Sequence, residues 1–143
     1  MIKVFLDTNI LIDYLSCREN FFEPAALIFQ LGKRKKCQLL VSSLSFATAS
    51  FILQAHYKMS QKEVVKMFTQ IINMCHITTV DSQTVNESVV SNFRDFEDAM
   101  QYFSALRESV QFIITRNKQD FTGSAIPVLE PMEFLKSSLE SQS

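Results

Sequence analysis

The chain has 143 residues, 47% of them apolar, which suits one domain with a buried core. With two glycines and three prolines, the composition is unlike that of a disordered chain or of two domains joined by a linker. The net charge of −1 excludes a global positive field, so a polyanion would have to bind to a local patch. The three cysteines are odd in number, far apart and without C-x-x-C spacing, which argues against a disulfide framework and a zinc site.

Strands and helices alternate along the predicted chain. The predicted strands are 3–6, 38–42, 77–80, 112–115 and a short 126–129. The predicted helices are 9–16, 24–35 opened by Pro24, 45–57, 61–75 capped by Ser60, 82–91, 95–108 and 131–139 opened by Pro131. Strands separated by helices predict an α/β fold with a parallel sheet. We expect one domain over residues 1–136 and a short polar tail over 137–143.

The N-terminal segment gives no sign of a membrane protein. Asp7 lies where a signal peptide would need its apolar stretch, and no apolar run approaches the ~20 residues of a membrane span. The sequence therefore predicts a soluble cytoplasmic protein without a membrane partner.

A single carboxylate interrupts the first apolar run. Residues 4–6 are uniformly apolar, as expected of a central strand covered on both faces, and Asp7 follows directly. Functional groups in open α/β sheets lie at the carboxyl ends of such strands. Asp is also a preferred N-cap residue, so a structural role for Asp7 as the cap of the next helix stays open.

Polar side chains occur at three places just after a strand or at a helix start. They are Asp7 and Asn9, then Asp95, Glu97 and Asp98, then Asn117 and Asp120. In a parallel sheet these positions lie at one end, so we expect Asp7, Asp98 and Asp120 to converge. Carboxylates that converge repel one another unless a cation or a proton lies between them, and hard oxygen ligands suit Mg²⁺ or Mn²⁺.

The helix predicted to start at Asp95 admits a structural explanation of its acids. Asp95 and Asp98 have the spacing of a capping box variant. A buried stripe is predicted from Phe96, Met100, Phe103 and Leu106. That stripe leaves Asp98 on the opposite side, and Glu97 would project about 100° away from Asp98. Asp120 is also a common type of turn residue.

Four segments together resemble a PIN domain, and they cover essentially the whole chain in order. The segments are Leu6-Asp7-Thr8-Asn9-Ile10-Leu11, Asp95-Phe96-Glu97-Asp98-Ala99 with Tyr102 and Ala105, Ile114-Thr115-Arg116-Asn117-Lys118-Gln119-Asp120-Phe121, and Val128-Leu129-Glu130-Pro131-Met132-Glu133-Phe134-Leu135. The resemblance implies a three-layer α/β/α sandwich with a central parallel sheet. It also implies a Mg²⁺- or Mn²⁺-dependent ribonuclease, and it includes the toxins of VapBC-type toxin-antitoxin pairs.

The resemblance assigns roles to residues of this chain. Asp7, Asp98 and Asp120 match the acids that hold the metal and serve catalysis. Asn9, Thr115 and Asn117 match the polar residues that support them. Expected partners are RNA, an antitoxin protein and a second copy of the chain, since dimers are common in the family.

One position departs from the family pattern. Family members usually carry a Glu on the helix after the second strand, and Thr48 stands there in this chain. Because a hydroxyl is a poor ligand for a hard metal, we expect weaker metal binding, and we expect Thr48→Glu to strengthen it. Glu97 or Asp95 could compensate. The alternative is a catalytically weakened or inactive domain that binds RNA or a protein partner.

Cations and other catalytic groups are sparse. Arg116 and Lys118 flank Asn117 and are predicted to hold the nucleic-acid backbone. The run of cations at 33–36 follows the end of a helix, as the helix dipole favours. His56 and His76 lie in different predicted elements without a motif, which argues against serine or cysteine nucleophile chemistry. Asn9 stands where an aspartyl-nucleophile phosphatase would need its second Asp.

Overall fold

A computed structural model describes residues 1–140 and shows one parallel sheet with helices on both faces. Its strands are β1 (Lys3–Leu6), β2 (Gln38–Ser42), β3 (Cys75–Thr78), β4 (Phe112–Ile114) and β5 (Val128–Leu129). They are ordered β3-β2-β1-β4-β5, and every neighbouring pair is parallel. The predicted α/β sandwich with a central parallel sheet is therefore confirmed.

Alternation of side chains along the strands builds two apolar layers. Val4 and Leu6 pack on one face of the sheet, and Phe5 packs on the other. The helices are α1 (Thr8–Leu15), α2 (Phe22–Lys33), α3 (Ser43–Ala55), α4 (Gln61–Met74), α5 (Ser82–Val89), α6 (Phe96–Leu106) and α7 (Pro131–Glu140), with a 3-10 helix at Lys118–Phe121. Residues 4–6 of β1 are buried and uniformly apolar, as predicted for a central strand covered on both faces.

Several element boundaries differ from the prediction. β3 begins at Cys75, two residues before the predicted strand, because α4 ends at Met74. α2 begins at Phe22, so Pro24 lies inside its first turn, where a missing backbone N–H costs no helical hydrogen bond. α3 begins at Ser43 because the Ser42 hydroxyl accepts a hydrogen bond from the Ser45 backbone N–H at 3.2 Å.

The buried face of α6 was predicted wrongly. Phe96 and Leu106, the ends of the predicted stripe, are 49% and 41% exposed. The buried residues of the helix are Ala99, Met100, Gln101, Tyr102, Ser104 and Ala105. Gln101 and Ser104 are buried because they form hydrogen bonds with polar residues of other elements. The spacing of apolar residues in α6 cannot reveal such partners.

The C-terminal helix extends into the predicted polar tail. α7 continues through residues 137–140, and residues 141–143 of that tail lie outside the described residues. None of the helices in residues 1–140 has the length and apolar character needed to cross a membrane.

Candidate active site

Asp7 lies where the strand order reverses. The chain runs from β1 outward to β2 and β3, then returns to place β4 on the other side of β1. Ligands bind at such a switch point, outside the carboxyl ends of the strands. Asp7 directly follows β1, is 6% exposed, and its Oδ1 accepts a hydrogen bond from the Thr8 backbone N–H at 2.8 Å. Asp7 therefore caps α1 as predicted, and this cap uses only one of its two oxygens.

The second oxygen of Asp7 faces the start of the segment after β4. Asp7 Oδ2 accepts hydrogen bonds from the Thr115 hydroxyl at 2.8 Å and from the Asn9 amide at 3.3 Å. The same amide of Asn9 lies 3.2 Å from Thr115 Oγ1, which also accepts the backbone N–H of Asn117 at 3.1 Å. Thr115, Asn9 and Asn117 are thus brought together around Asp7, Asn117 through its backbone.

Two acids of this region have raised pKa values, and burial is the first cause for both. Burial raises the pKa of Asp7 to about 6, against the lowering effect of hydrogen bonds from Thr115 and Thr8, and the charges of Glu97 and Asp120 raise it further. Burial also raises the pKa of Asp98 to about 7, followed by the charges of Asp7, Asp95, Asp120 and Glu97. The charge of Asp120 thus acts on both Asp7 and Asp98, and the convergence of the three carboxylates in one pocket stays a prediction.

This region is not a closed ligand shell. Within residues 1–140, no three acidic, histidine or cysteine side chains stand together as a ready-made metal site. Mg²⁺ keeps several of its waters and binds through one or two carboxylates, so it does not require such a shell. The donors are oxygens of mutually repelling carboxylates, and this chemistry fits a hard divalent cation.

Thr48 lies beside an acid that belongs to a different helix. Its hydroxyl on α3 donates a hydrogen bond to Glu97 Oε1 on α6 at 3.1 Å. One turn earlier on α3, Ser45 Oγ lies 2.7 Å from Thr8 Oγ1 and accepts a hydrogen bond from the Gln101 amide at 3.0 Å. Thr48 and Glu97 thus lie one helical turn from a buried polar network that includes the neighbour of Asp7.

Comparison with known proteins identifies the family. The sequence profile of the PIN domain matches residues 3–119. The chain belongs to the PIN domain family. A protein similar to this PIN domain is Ribonuclease VapC1 of Aquifex aeolicus (strain VF5), which is 26% identical over 137 residues, 92% of each chain. The predicted resemblance is confirmed.

Solved structures share the fold of this PIN domain. A toxin-antitoxin complex from Klebsiella pneumoniae matches with a TM-score of 0.64 and 22% identity, covering 90% of this chain and 97% of that chain. DNA-bound VapBC from Salmonella typhimurium matches with a TM-score of 0.65 and 17% identity, covering 92% and 99%. At such identities the likeness concerns the fold alone.

The two cations predicted to bind nucleic acid are engaged with acids of the PIN domain itself. Arg116 donates to both carboxylate oxygens of Asp13, at 2.6 Å from Nε and 3.2 Å from NH2, and its guanidinium lies 4.2 Å from the centre of the Phe21 ring. The Asp13 side chain is 1% exposed, so this pair neutralises a buried charge. Lys118 pairs with the exposed Glu133 at 3.1 Å. Their contact with nucleic acid stays a prediction.

A third cation was missed by the sequence analysis. Arg94 is exposed and forms no ion pair within the described part of the PIN domain. It lines a cavity of about 340 Å³ that also includes Asp120. The other lining residues are Asn92, Phe93, Gln119 and Thr122. The sequence could have indicated Arg94 by its position directly before the acidic start of α6.

Proposed function

We propose that this PIN domain is a metal-dependent endoribonuclease that hydrolyses RNA phosphodiester bonds and acts as the toxin of a toxin-antitoxin pair. The observation that carries the proposal is the buried carboxylate of Asp7 at the switch point, which interacts with the charges of Asp98 and Asp120. None of the ion pairs among residues 1–140 involves these three acids, so the chain supplies no cation of its own to them. Acids arranged in this way are candidates for a functional site.

Asp7, Asp98 and Asp120 are the residues that would hold Mg²⁺ or Mn²⁺, and PIN-domain VapC nucleases are generally divalent-metal dependent. A bound divalent ion supplies Lewis acidity toward a phosphoryl oxygen and lowers the pKa of a water. The Thr115 hydroxyl and the Asn9 amide fix the direction of Asp7 Oδ2. Thr115 is in turn held by the backbone N–H of Asn117, which stiffens the carboxylate without adding charge.

The substrate and partners follow from the family. A relative that is similar over nearly the whole chain is named a ribonuclease, which favours RNA as the substrate. Structures that share the fold are toxin-antitoxin complexes, which favours an antitoxin protein as a partner. A homodimer and RNA contacts from Arg116 and Lys118 remain expectations from the sequence.

A second candidate function is supported by a specific observation. Thr48 replaces the usual Glu, and the described residues contain no ready-made cluster of three ligands. These two facts favour a PIN domain that binds RNA or a protein partner without cutting it.

RNA cleavage by the purified chain separates the two candidates. We expect single-stranded RNA to be cut in the presence of Mn²⁺ or Mg²⁺ and not in EDTA. Asp7→Asn should abolish cleavage, because the amide keeps an oxygen for the cap of α1 while the negative charge is lost. Glu19→Gln is the matched control, since Glu19 is exposed and forms no hydrogen bond or ion pair in the described residues. Equal cleavage by wild type and Asp7→Asn would indicate a contaminating nuclease and support the binding-only function.

The toxin role has its own test. We expect a small antitoxin-like reading frame beside the gene, and its product is co-expressed with the chain. The two products should co-purify, and the complex should cut RNA more slowly than the free chain. Absence of a complex and of inhibition would leave a ribonuclease without an antitoxin.

A further inference from the structure

Helices α3 and α6 contact each other through polar pairs at two levels. At the inner level, the Gln101 amide of α6 donates to Ser45 Oγ of α3 at 3.0 Å. At the outer level, the Thr48 hydroxyl donates to Glu97 Oε1 at 3.1 Å. Residues four apart on a helix share a face, so Glu97 lies on the same face of α6 as Gln101.

This shared face points toward the Asp7 segment. The Gln101 amide also donates to Thr8 Oγ1 at 2.8 Å, and Thr8 directly follows Asp7. Glu97, one turn away on this face, is held toward α3 by its own contact with Thr48. Glu97 and Asp98 project about 100° apart on α6, and both still interact with Asp7: in addition to burial, the charge of Glu97 raises the pKa of Asp7, and the charge of Asp7 raises that of Asp98.

Only one oxygen of Glu97 has a partner. Oε1 accepts the Thr48 hydroxyl, and Oε2 accepts no hydrogen bond within residues 1–140. A carboxylate that is oriented through one oxygen and free at the other is suited to bind a cation, directly or through one of its waters.

We propose that Glu97 is the metal-binding carboxylate that replaces the missing Glu of α3, with Thr48 as its positioning residue. The proposal rests on the proposed function, because it concerns the same metal site. In this chain α6 supplies the carboxylate and α3 supplies the small hydroxyl that orients it. Thr48 and Glu97 together would then replace the missing Glu of α3.

The position of Glu97 has two alternative explanations that involve no metal. An acid in the first turn of a helix is favoured by the helix dipole, and the contact with Thr48 could serve packing alone. Glu97→Gln tests both explanations, because the amide keeps an oxygen acceptor for Thr48 and nearly the same volume but loses the charge. Asp95→Asn is the matched control, since it removes one charge from the same helix end and keeps the cap acceptor.

The experiment measures Mn²⁺ binding to the full chain by titration calorimetry, with folding checked by circular dichroism in EDTA. We expect Glu97→Gln to weaken Mn²⁺ binding by about 10- to 100-fold, the range typical of residues that support a metal site. Asp95→Asn should have a much smaller effect. Thr48→Val should weaken binding, and Thr48→Ser should restore it, because only the hydroxyl positions Glu97.

A charge-relocation variant provides the decisive comparison. Thr48→Glu in the Glu97→Gln background should recover Mn²⁺ affinity, because the carboxylate returns to α3. Contrary to the expectation from the sequence, Thr48→Glu alone should not strengthen Mn²⁺ binding and should lower stability, because two carboxylates would face each other.

The outcomes separate this proposal from the proposed function. If wild type and Glu97→Gln bind Mn²⁺ equally while Asp7→Asn loses binding, the Glu97 proposal is overturned and the metal site stands. If neither wild type nor Asp7→Asn binds Mn²⁺, the metal-dependent function fails and the Glu97 proposal fails with it.

Discussion

The acids that lie at the two ends of helix α6, those of the α5 segment at one end and its own at the other, are in opposite electrostatic situations. At the C-terminal end, Arg107 binds Asp81 and Glu87, each at 3.0 Å. The pKa of Asp81 is lowered, first by the backbone N–H of Thr84 and then by Arg107. At the N-terminal end, burial and neighbouring acids raise the pKa of Asp98, and the ion pairs of the described residues supply no cation. Arg107 neutralises the acids at the C-terminal end, and no ion pair of the described residues neutralises Asp98 at the N-terminal end.

This difference separates acids whose charge is compensated within the fold from acids whose charge is not, as expected of the proposed metal site. An acid paired with an arginine of the same chain has its charge compensated whenever the protein is folded. Carboxylates left to repel one another cost free energy, and such a cost is typical of a site that binds something else. The predictions below test whether the two kinds of acid behave differently, in order of decreasing expected effect.

The largest effect is expected where an internal pair is broken. Arg116→Gln leaves the buried Asp13 without its cation, which should reduce the free energy of unfolding by about 3 kcal/mol or more. Asp13→Asn in the same background should recover much of the loss. The measurement is urea unfolding. A stable Arg116→Gln protein with weakened RNA binding would restore the sequence-based prediction that Arg116 contacts RNA.

The pH dependence of the metal-free protein should reveal the unpaired acids. The pKa of Asp7 is about 6 in the folded protein and 3.8 without the fold, so its stabilising contribution is full below pH 3.8 and lost as the pH rises through 6. At about 1.4 kcal/mol per pKa unit, the loss amounts to about 3 kcal/mol at most. Asp7→Asn should therefore reduce the fall in unfolding free energy between about pH 4 and 7 in EDTA. An unchanged pH profile would contradict the raised pKa.

The stabilising contribution of Asp81, which is paired with Arg107, should depend on pH with the opposite sign. Because the pKa of Asp81 is lowered, its contribution is present above pH 3.8 and lost as the pH falls below that value. Asp81→Asn should therefore leave the profile between about pH 4 and 7 nearly unchanged. This variant is the matched control for Asp7→Asn.

Addition of a cation should relieve the repulsion at the unpaired end. Mn²⁺ at about 100 times its Kd should raise the free energy of unfolding by about 2.7 kcal/mol. The melting temperature should rise in wild type and in Arg107→Gln, and it should not rise in Asp7→Asn. A rise in Asp7→Asn equal to that of wild type would mean that the ion binds elsewhere.

The smallest effect is expected from Arg94, which forms no ion pair within residues 1–140 and lines the same cavity as Asp120. Arg94→Gln should weaken single-stranded RNA binding and reduce the slope of log K against log salt concentration by about 0.7, the value for one phosphate contact. Fluorescence anisotropy in EDTA separates this effect from cleavage. Lys118→Gln is the comparison variant, and a larger loss there would assign the phosphate contact to Lys118.

The sequence predicts what depends on local pattern and strand direction. The apolar run before Asp7 indicates a central strand, and parallel strands place their carboxyl ends at one edge, so the polar residues that follow β1 and β4 could be grouped from the sequence alone. The face of α6 could not be predicted, because Gln101 is buried by contacts with Thr8 and Ser45, 93 and 56 residues away. The ion pair between Arg116 and Asp13 could not be predicted for the same reason, since Asp13 lies 103 residues earlier.

The central position of β1 sets the order in which the site can be built during synthesis. Asp7 is synthesised 108 residues before Thr115, whose hydroxyl orients it, and Thr115 directly follows β4. At translation rates of about 5–20 residues per second, several seconds separate the two. A nascent chain therefore carries the carboxylate of Asp7 long before the support of that carboxylate exists. The candidate site cannot be assembled until β4 has been made and has paired with β1.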